Sequence, residues 1–230
     1  MPTYESLLAA AVSETRQARF AAVLSRRLSS LTLVCDRILD PHNISACLRS
    51  CDAFGLMTVH LLLDRTQRYR GNRQVSRYSD RWVEVRNHWD EEAMCSELSA
   101  AGFTLVGTVV ADGEGVTDFR HFEPPERMAL VVGNEHLGLS DSMRRRCQAL
   151  LRIPTCGFVD SLNLSVATGI LLEHFSDHCH RCGKGVLTDA EQRAWLEAWL
   201  EREVRQRLHK IGVTLEDVLE DEDQPPPPQE

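Results

Sequence analysis

The side chains best suited to chemistry fall in three short stretches. Asn43 and Arg49 lie in "PHNISACLRSCDAFG" (41–55), Glu135 follows Gly133 and Asn134 in "LVVGNEHLGLS" (130–140), and Ser161 and Asn163 lie in "IPTCGFVDSLNLSVA" (153–167). No nucleophile elbow, GxGxxG dinucleotide loop or GxxxxGK phosphate loop accompanies them. They offer amides that both donate and accept, a forked cation and one carboxylate, groups suited to orienting a ligand rather than attacking it. Leu162, Val166 and Ile170 recur at helical spacing, so a helix is expected to start near Asp160 or Ser161. Asn163 then falls inside its first turn, where asparagine is a poor helix former and its amide is expected to meet a ligand. Each residue alone has a plainer reading: Arg49 as a surface ion-pair partner, Gly133 as a tight turn, Asn163 as a tie to a neighbouring loop.

The elements that must position these residues alternate. Apolar runs at 31–35, 58–63, 82–85, 104–110, 128–133 and 149–154 read as strands. Helices are expected over 3–28, from Asn43 to a glycine stop at Gly55, over 90–101 closed by Gly102, and over 140–147. Strands alternating with helices imply an α/β fold with a mostly parallel sheet flanked by helices. In such sheets ligands bind outside the carboxyl ends of the strands, where the three stretches fall. Beyond Gly183, Thr188 and Glu191 form a capping box, and Trp195, Leu196, Trp199 and Leu200 share one face of a C-terminal helix. The expected division is an N-terminal helical extension (1–28), a main domain (29–178), a C-terminal helical extension (179–214) and an acidic, proline-rich tail (215–230) expected to be disordered.

The 230 residues carry a formal charge of −8, which argues at first against a nucleic-acid partner. The distribution reverses that. Seven acids and no base lie in 216–230, leaving −1 for the rest of the chain. Residues 65–86 hold seven arginines against Asp80 and Glu84, a local charge of +5 interleaved with Tyr69, Tyr78 and Trp82. This segment reads as anion-binding or as a solvated loop. No apolar run reaches a membrane span and "MPTYESLL" has no basic, apolar leader, so the expectation is a cytoplasmic protein with no membrane association. The eight cysteines are then expected to be mostly reduced and packed. His174, His178, Cys179, His180 and Cys182 invite a metal reading, but a lone CxxC without a distant second pair falls short of a structural zinc site, so no metal is expected.

In their order and spacing the three stretches, together with "DFR" (118–120), resemble the three sequence motifs of the SpoU/TrmH family of RNA ribose 2′-O-methyltransferases over residues 15–175. The chain further resembles the branch acting on guanosine 18 of the tRNA D-loop. The resemblance implies a C-terminal trefoil knot, a homodimer, tRNA as partner and S-adenosyl-L-methionine as methyl donor. It implies that the cofactor lies against Val110, Ala111, Gly133, Asn134, Glu135, Ile153, Ser161, Leu162 and Asn163, with glycine at 133 because a side chain there would hold the ligand off. Arg49, Asn43, Glu135, Ser161 and Asn163 are the implied catalytic set, with Arg49 clamping the target phosphate and ribose oxygen. Arg19 is implied to reach the partner subunit's site. Arg68, Arg70 and Arg73 are added as RNA contacts on charge alone. Two alternatives remain: the same chemistry on ribosomal RNA or another tRNA nucleotide, or a catalytically weak RNA-binding member of the fold.

Overall fold

The computed structural model describes residues 8–64, 81–111, 113–210, 212 and 214. The arginines at 68, 70 and 73, the tyrosines at 69 and 78, and the acidic tail lie outside the described residues. The chain divides into two compact units, Arg27–Val186 and a second formed by Met1–Arg26 with Leu187–Glu230.

The larger unit is a seven-stranded sheet of β1 (Leu31–Asp36), β2 (Thr58–Leu62), β3 (Glu84–His88), β4 (Thr104–Thr108), β5 (Val116–Asp118), β6 (Met128–Val132) and β7 (Ala149–Arg152). Their order is β3-β2-β1-β6-β4-β7-β5, and every neighbouring pair is parallel. β1 is an interior strand beside the central β6, with Leu33 opposite Val59 of β2 and Leu130 of β6. Both faces are covered, which explains the unbroken apolar runs. Leu31, Leu33 and Cys35 of β1 and Met128, Leu130 and Val132 of β6 join a cluster with α2 (Pro41–Ala53) and α5 (Leu164–Cys182). The intervening Val34, Ala129 and Val131 face α3 (Glu91–Ala100) and α4 (Asp141–Arg146) through Met94, Leu98 and Met143. Strand side chains alternate between faces, so two covered faces demand apolar residues at every position.

Several expected boundaries shift for local reasons. The strand expected at 82–85 is Glu84–His88, and the three-residue β5 carries no periodic signal of its own. The α2 helix starts earlier than Asn43: Asp40 is its N-cap, accepting from the His42 N–H at 2.8 Å, and Pro41 fills the first turn. The α5 helix starts later than Asp160 and runs unbroken through 178 to Cys182, where Gly183 ends it at φ +63°.

In the smaller unit the helix expected over 3–28 is α1, Glu14–Leu24, with Ser13 at its N-cap. It pairs with α6 (Asp189–Lys210), Phe20 meeting Trp199 edge-on at 5.6 Å and Arg16 pairing with Glu203 at 3.4 Å. The capping box is present: the Glu191 carboxylate accepts from the Thr188 N–H at 2.7 Å, and the Glu191 N–H donates to the Thr188 hydroxyl at 3.3 Å. No helix among the described residues is long and apolar enough to cross a membrane.

Candidate active site

A cleft of about 700 Å³ opens at the carboxyl ends of β4, β6 and β7. One wall is Thr108–Ala111 after β4, the second is the loop Gly133–Leu139 after β6 with Arg144 of α4, and the third is Ile153, Thr155 and Asp160–Leu164 after β7. Val110, Ala111, Gly133, Asn134, Glu135, Ile153, Ser161, Leu162 and Asn163 all line it. Parallel strands place every carboxyl end on the same sheet edge, so stretches separated in sequence by whole strands and helices converge there.

Asn163 is not inside the first helical turn, and its amide is not free. It is the N-cap of α5: its Oδ1 accepts from the backbone N–H of Ser165 at 2.9 Å and of Val166 at 3.4 Å. A cap has non-helical backbone, which removes the propensity objection raised by its sequence position. Its Nδ2 donates to Asn43 Oδ1 at 3.3 Å, and Asn43 Nδ2 donates to Glu135 Oε1 at 2.9 Å. Because Asn163 Oδ1 is committed to capping, the donor direction of the whole relay is fixed. It runs from Asn163 through Asn43 to Glu135, joining the third, first and second sequence stretches.

Glu135 also accepts from the backbone N–H groups of Leu39 and Asp40, each at 3.2 Å. Partial burial pushes its pKa up, but the hydrogen bonds from Asn43, Leu39 and Asp40 outweigh this and hold it below the ordinary 4.5. Glu135 is thus a committed anion that fixes a loop, and a carboxylate so held is a poor proton acceptor.

Gly133 is required for a different reason from the one expected. A Cβ there would lie 2.1 Å from the Gly138 carbonyl carbon and 2.3 Å from the Leu139 nitrogen. It is the loop's own backbone that occupies the space, closed by reciprocal 2.9 Å bonds between Asn134 and Gly138. A side chain would break the wall of the cleft before it could meet any ligand.

Arg49 is not among the lining residues. It stands exposed on α2, about 9 Å along the helix axis from Asn43, with no hydrogen bond or ion pair among the described residues. Ser161 is exposed at the cleft mouth. Arg19 is exposed on α1, in the smaller unit. Phe119 of the "DFR" stretch is buried against His174 at 5.0 Å, while Asp118 accepts from the Arg120 N–H at 3.0 Å, so these residues shape a turn.

Sequence reasoning missed Val109, Arg144 and Leu171 on the lining. The apolar positions that signalled this helix do not lie on its buried face. Leu162, Val166 and Ile170 are 37%, 51% and 37% exposed, whereas α5 buries Thr168, Leu171, Leu172, Phe175 and Ser176. Phe158 is fully exposed and Val159 is 61% exposed in the adjoining loop. Periodicity identifies an apolar face but not what covers it.

All eight cysteines are free thiols. Burial pushes the Cys35 and Cys51 thiols well above their ordinary value and Cys47 up to about 11, which makes them packing groups rather than nucleophiles. His178 Nε2 lies 3.6 Å from Cys182 Sγ, and among the described residues no group of three or more His, Cys, Asp or Glu side chains is arranged to hold a metal.

Residues 30–173 match the model of the SpoU rRNA Methylase family. The chain is 34% identical over 160 residues to the tRNA (guanosine(18)-2′-O)-methyltransferase of Thermus thermophilus, covering 70% of this chain and 81% of that protein. The crystal structure of the A. aeolicus TrmH/SpoU tRNA modifying enzyme superposes with a TM-score of 0.74 at 28% identity, covering 83% of this chain and 98% of that one. The SpoU methyltransferase AviRb from Streptomyces viridochromogenes, in complex with AdoMet, superposes with a TM-score of 0.59 at 25% identity, over 67% of this chain and 62% of that one. The family model spans well over half of the chain, and the Thermus thermophilus relative is similar over most of both lengths: this chain belongs to the SpoU methylase family.

Proposed function

We propose that this chain is an S-adenosyl-L-methionine-dependent tRNA ribose 2′-O-methyltransferase acting on guanosine 18 of the D-loop. The observation that carries the reading is a cleft lined by two of the three motif stretches and tied to the first by the Asn163–Asn43–Glu135 relay. The cleft fits an adenosyl cofactor: its volume suits a small molecule, and Val109, Ile153 and Leu171 give it apolar walls beside backbone donors and acceptors. Val110, Ala111, Gly133, Asn134, Glu135, Ile153, Ser161, Leu162 and Asn163 would hold it, the adenine end against the 153–162 backbone and the amino-acid end near Asn163. When bound, the cofactor supplies a methyl group on a positively charged sulfur.

The chain's own residues then position the acceptor. Glu135 keeps the loop 133–140 and the start of α2 in register, and Asn43 transmits that register to Asn163. The one remaining amide hydrogen on each asparagine Nδ2 makes the relay a donor surface, suited to ribose or carboxylate oxygens. Arg49, charged and unpaired among the described residues, holds the phosphate and ribose oxygen of the target nucleotide. A guanidinium keeps its proton at physiological pH, so proton loss from the 2′-oxygen goes to the phosphate or water.

The same reading includes a homodimer, supported by the exposed apolar stripe of Phe158, Val159, Leu162, Val166 and Ile170, with Arg19 reaching the partner's site. It includes a trefoil knot in the C-terminal part, supported by the late strands β6 and β7 lying between earlier ones. It includes helical extensions at 1–28 and 179–214 around a methyltransferase domain at 29–178, and a cytoplasmic location, where tRNA is available. The description of the matched family favours a second target, ribosomal RNA. Incubating the protein with labelled S-adenosyl-L-methionine and unmodified total tRNA or ribosomal RNA, then mapping the modified ribose, separates the two. Label on guanosine 18 is expected; label confined to ribosomal RNA overturns the tRNA assignment, and none on either overturns the activity.

A further inference from the structure

We propose that Arg37 is a positioning residue for the cleft, a strut that clamps both ends of the loop 133–140 and thereby sets cofactor affinity; this rests on the cleft being the S-adenosyl-L-methionine site. Arg37 follows β1 directly and has φ +50°, the one non-glycine positive φ among the described residues. A bulky side chain occupies that region only where its surroundings over-determine it.

The surroundings here do. The Arg37 N–H donates to the Leu62 carbonyl at 3.0 Å, and its own carbonyl accepts from Asn134 Nδ2 at 2.8 Å. Its guanidinium donates to Asp36 Oδ1 at 2.6 Å, Glu91 Oε2 at 3.0 Å and Ser140 Oγ at 3.3 Å. Asn134 opens the loop and Ser140 closes it, so one residue grips both ends. Asp36, 1% exposed, reinforces the second grip by accepting from the Ser140 N–H at 2.8 Å. Glu91 extends the strut to α4, accepting from Ser142 Oγ at 2.9 Å and Arg146 Nε at 3.1 Å.

The consequence reaches the cleft through Asn134. Its Nδ2 is held by the Arg37 carbonyl, which directs its Oδ1 to the N–H groups of His136 at 2.9 Å and Leu137 at 3.2 Å, both on the cleft wall. Glu135, next in sequence, is the acceptor of the relay. Removing the guanidinium frees the Ser140 end of this wall, while the main-chain carbonyl keeps its hold on Asn134 and the sheet beneath stays intact.

Glycine and alanine separate positioning from bulk stability. Arg37→Gly removes the guanidinium but relieves the left-handed strain, so it is expected to lose less stability than Arg37→Ala. Arg37→Ala removes the guanidinium and keeps the strain, so its stability falls further. Isothermal titration with S-adenosylhomocysteine, beside urea unfolding of the same proteins, is expected to give a dissociation constant raised about tenfold in both variants. Arg37→Lys, which keeps a charge without the fork, should lie between them and wild type. An Arg37→Gly protein that binds with wild-type affinity overturns the inference, as does an affinity that merely tracks stability across the variants. A wild-type protein that does not bind S-adenosylhomocysteine overturns instead the reading of the cleft.

Discussion

Replacing Glu135 by glutamine keeps the side chain's shape and exchanges one acceptor oxygen for an amide nitrogen. The carboxylate accepts three hydrogen bonds, at Oε2 from Leu39 and at Oε1 from Asp40 and Asn43. Whichever way the new amide is placed, an N–H group faces an N–H group. With nitrogen at the ε2 position only the Leu39 donor is orphaned, and the two remaining bonds become neutral. A hydrogen bond to a charged group contributes about 1.5–3 kcal/mol and a neutral one about 0.5–1.5 kcal/mol. The site is partly solvated, so water can replace the lost acceptor, and a net destabilisation of about 2 kcal/mol is expected. Urea unfolding of wild type, Glu135→Gln, Asn43→Ala and the double variant measures it. The cycle should show a coupling of about 1 kcal/mol between the two side chains. S-adenosylhomocysteine affinity should fall with the relay. Stability and affinity both unchanged in Glu135→Gln, or a strictly additive cycle, would refute the relay as the element that registers the loop. Transfer lost with affinity and stability intact would instead identify Glu135 as a proton acceptor.

Arg49→Ala should abolish methyl transfer while leaving S-adenosylhomocysteine titration unchanged, because Arg49 lies off the cleft lining; Arg49→Lys, lacking the planar fork, should remain severely impaired in the same transfer assay. Val166→Glu places a charge in the exposed apolar stripe, and sedimentation at micromolar concentration should show a wild-type dimer converted to monomer; a variant that still sediments as a dimer removes that stripe from the interface. His60 is 3% exposed and stacks on His88 with 2.9 Å between ring nitrogens. Burial first, then His88 and Arg86, lowers its pKa from 6.5 to about 4, so the unfolded chain takes up the proton first. Its stabilising contribution is complete above pH 6.5 and is lost as the pH falls toward 4, a difference of about 3 kcal/mol. Urea unfolding over that range should show the slope in wild type and a shallower one in His60→Leu. Replacing Arg68, Arg70 and Arg73 with alanine should weaken tRNA binding and flatten its salt dependence, with cofactor affinity untouched; an unchanged slope assigns RNA docking to another surface.

Local chemistry made much of this protein legible before its structure. The alternation of apolar runs with capped, glycine-ended helices specified a parallel α/β sheet, since both signals act within a few residues. Parallel strands then required the three polar stretches to share one edge, and the nine residues expected at a ligand do line one cleft. Strand order was not legible: β6 pairs with β1 across about a hundred positions, through backbone groups that carry no residue code. Whether an apolar helical face is covered is likewise a property of the neighbours, so Leu162, Val166 and Ile170 gave the helical period but not their exposure. Asn163 looked like a misplaced helix residue because only the backbone conformation distinguishes a cap from a first-turn position. Gly133 looked like ligand clearance because the carbonyl that fills its Cβ position belongs to a residue five places later, across a turn. The sequence by itself determined which side chains could orient a ligand; the tertiary structure decided which hydrogen bond each one had left, because donors and acceptors 92 and 120 positions apart meet only once the sheet has formed.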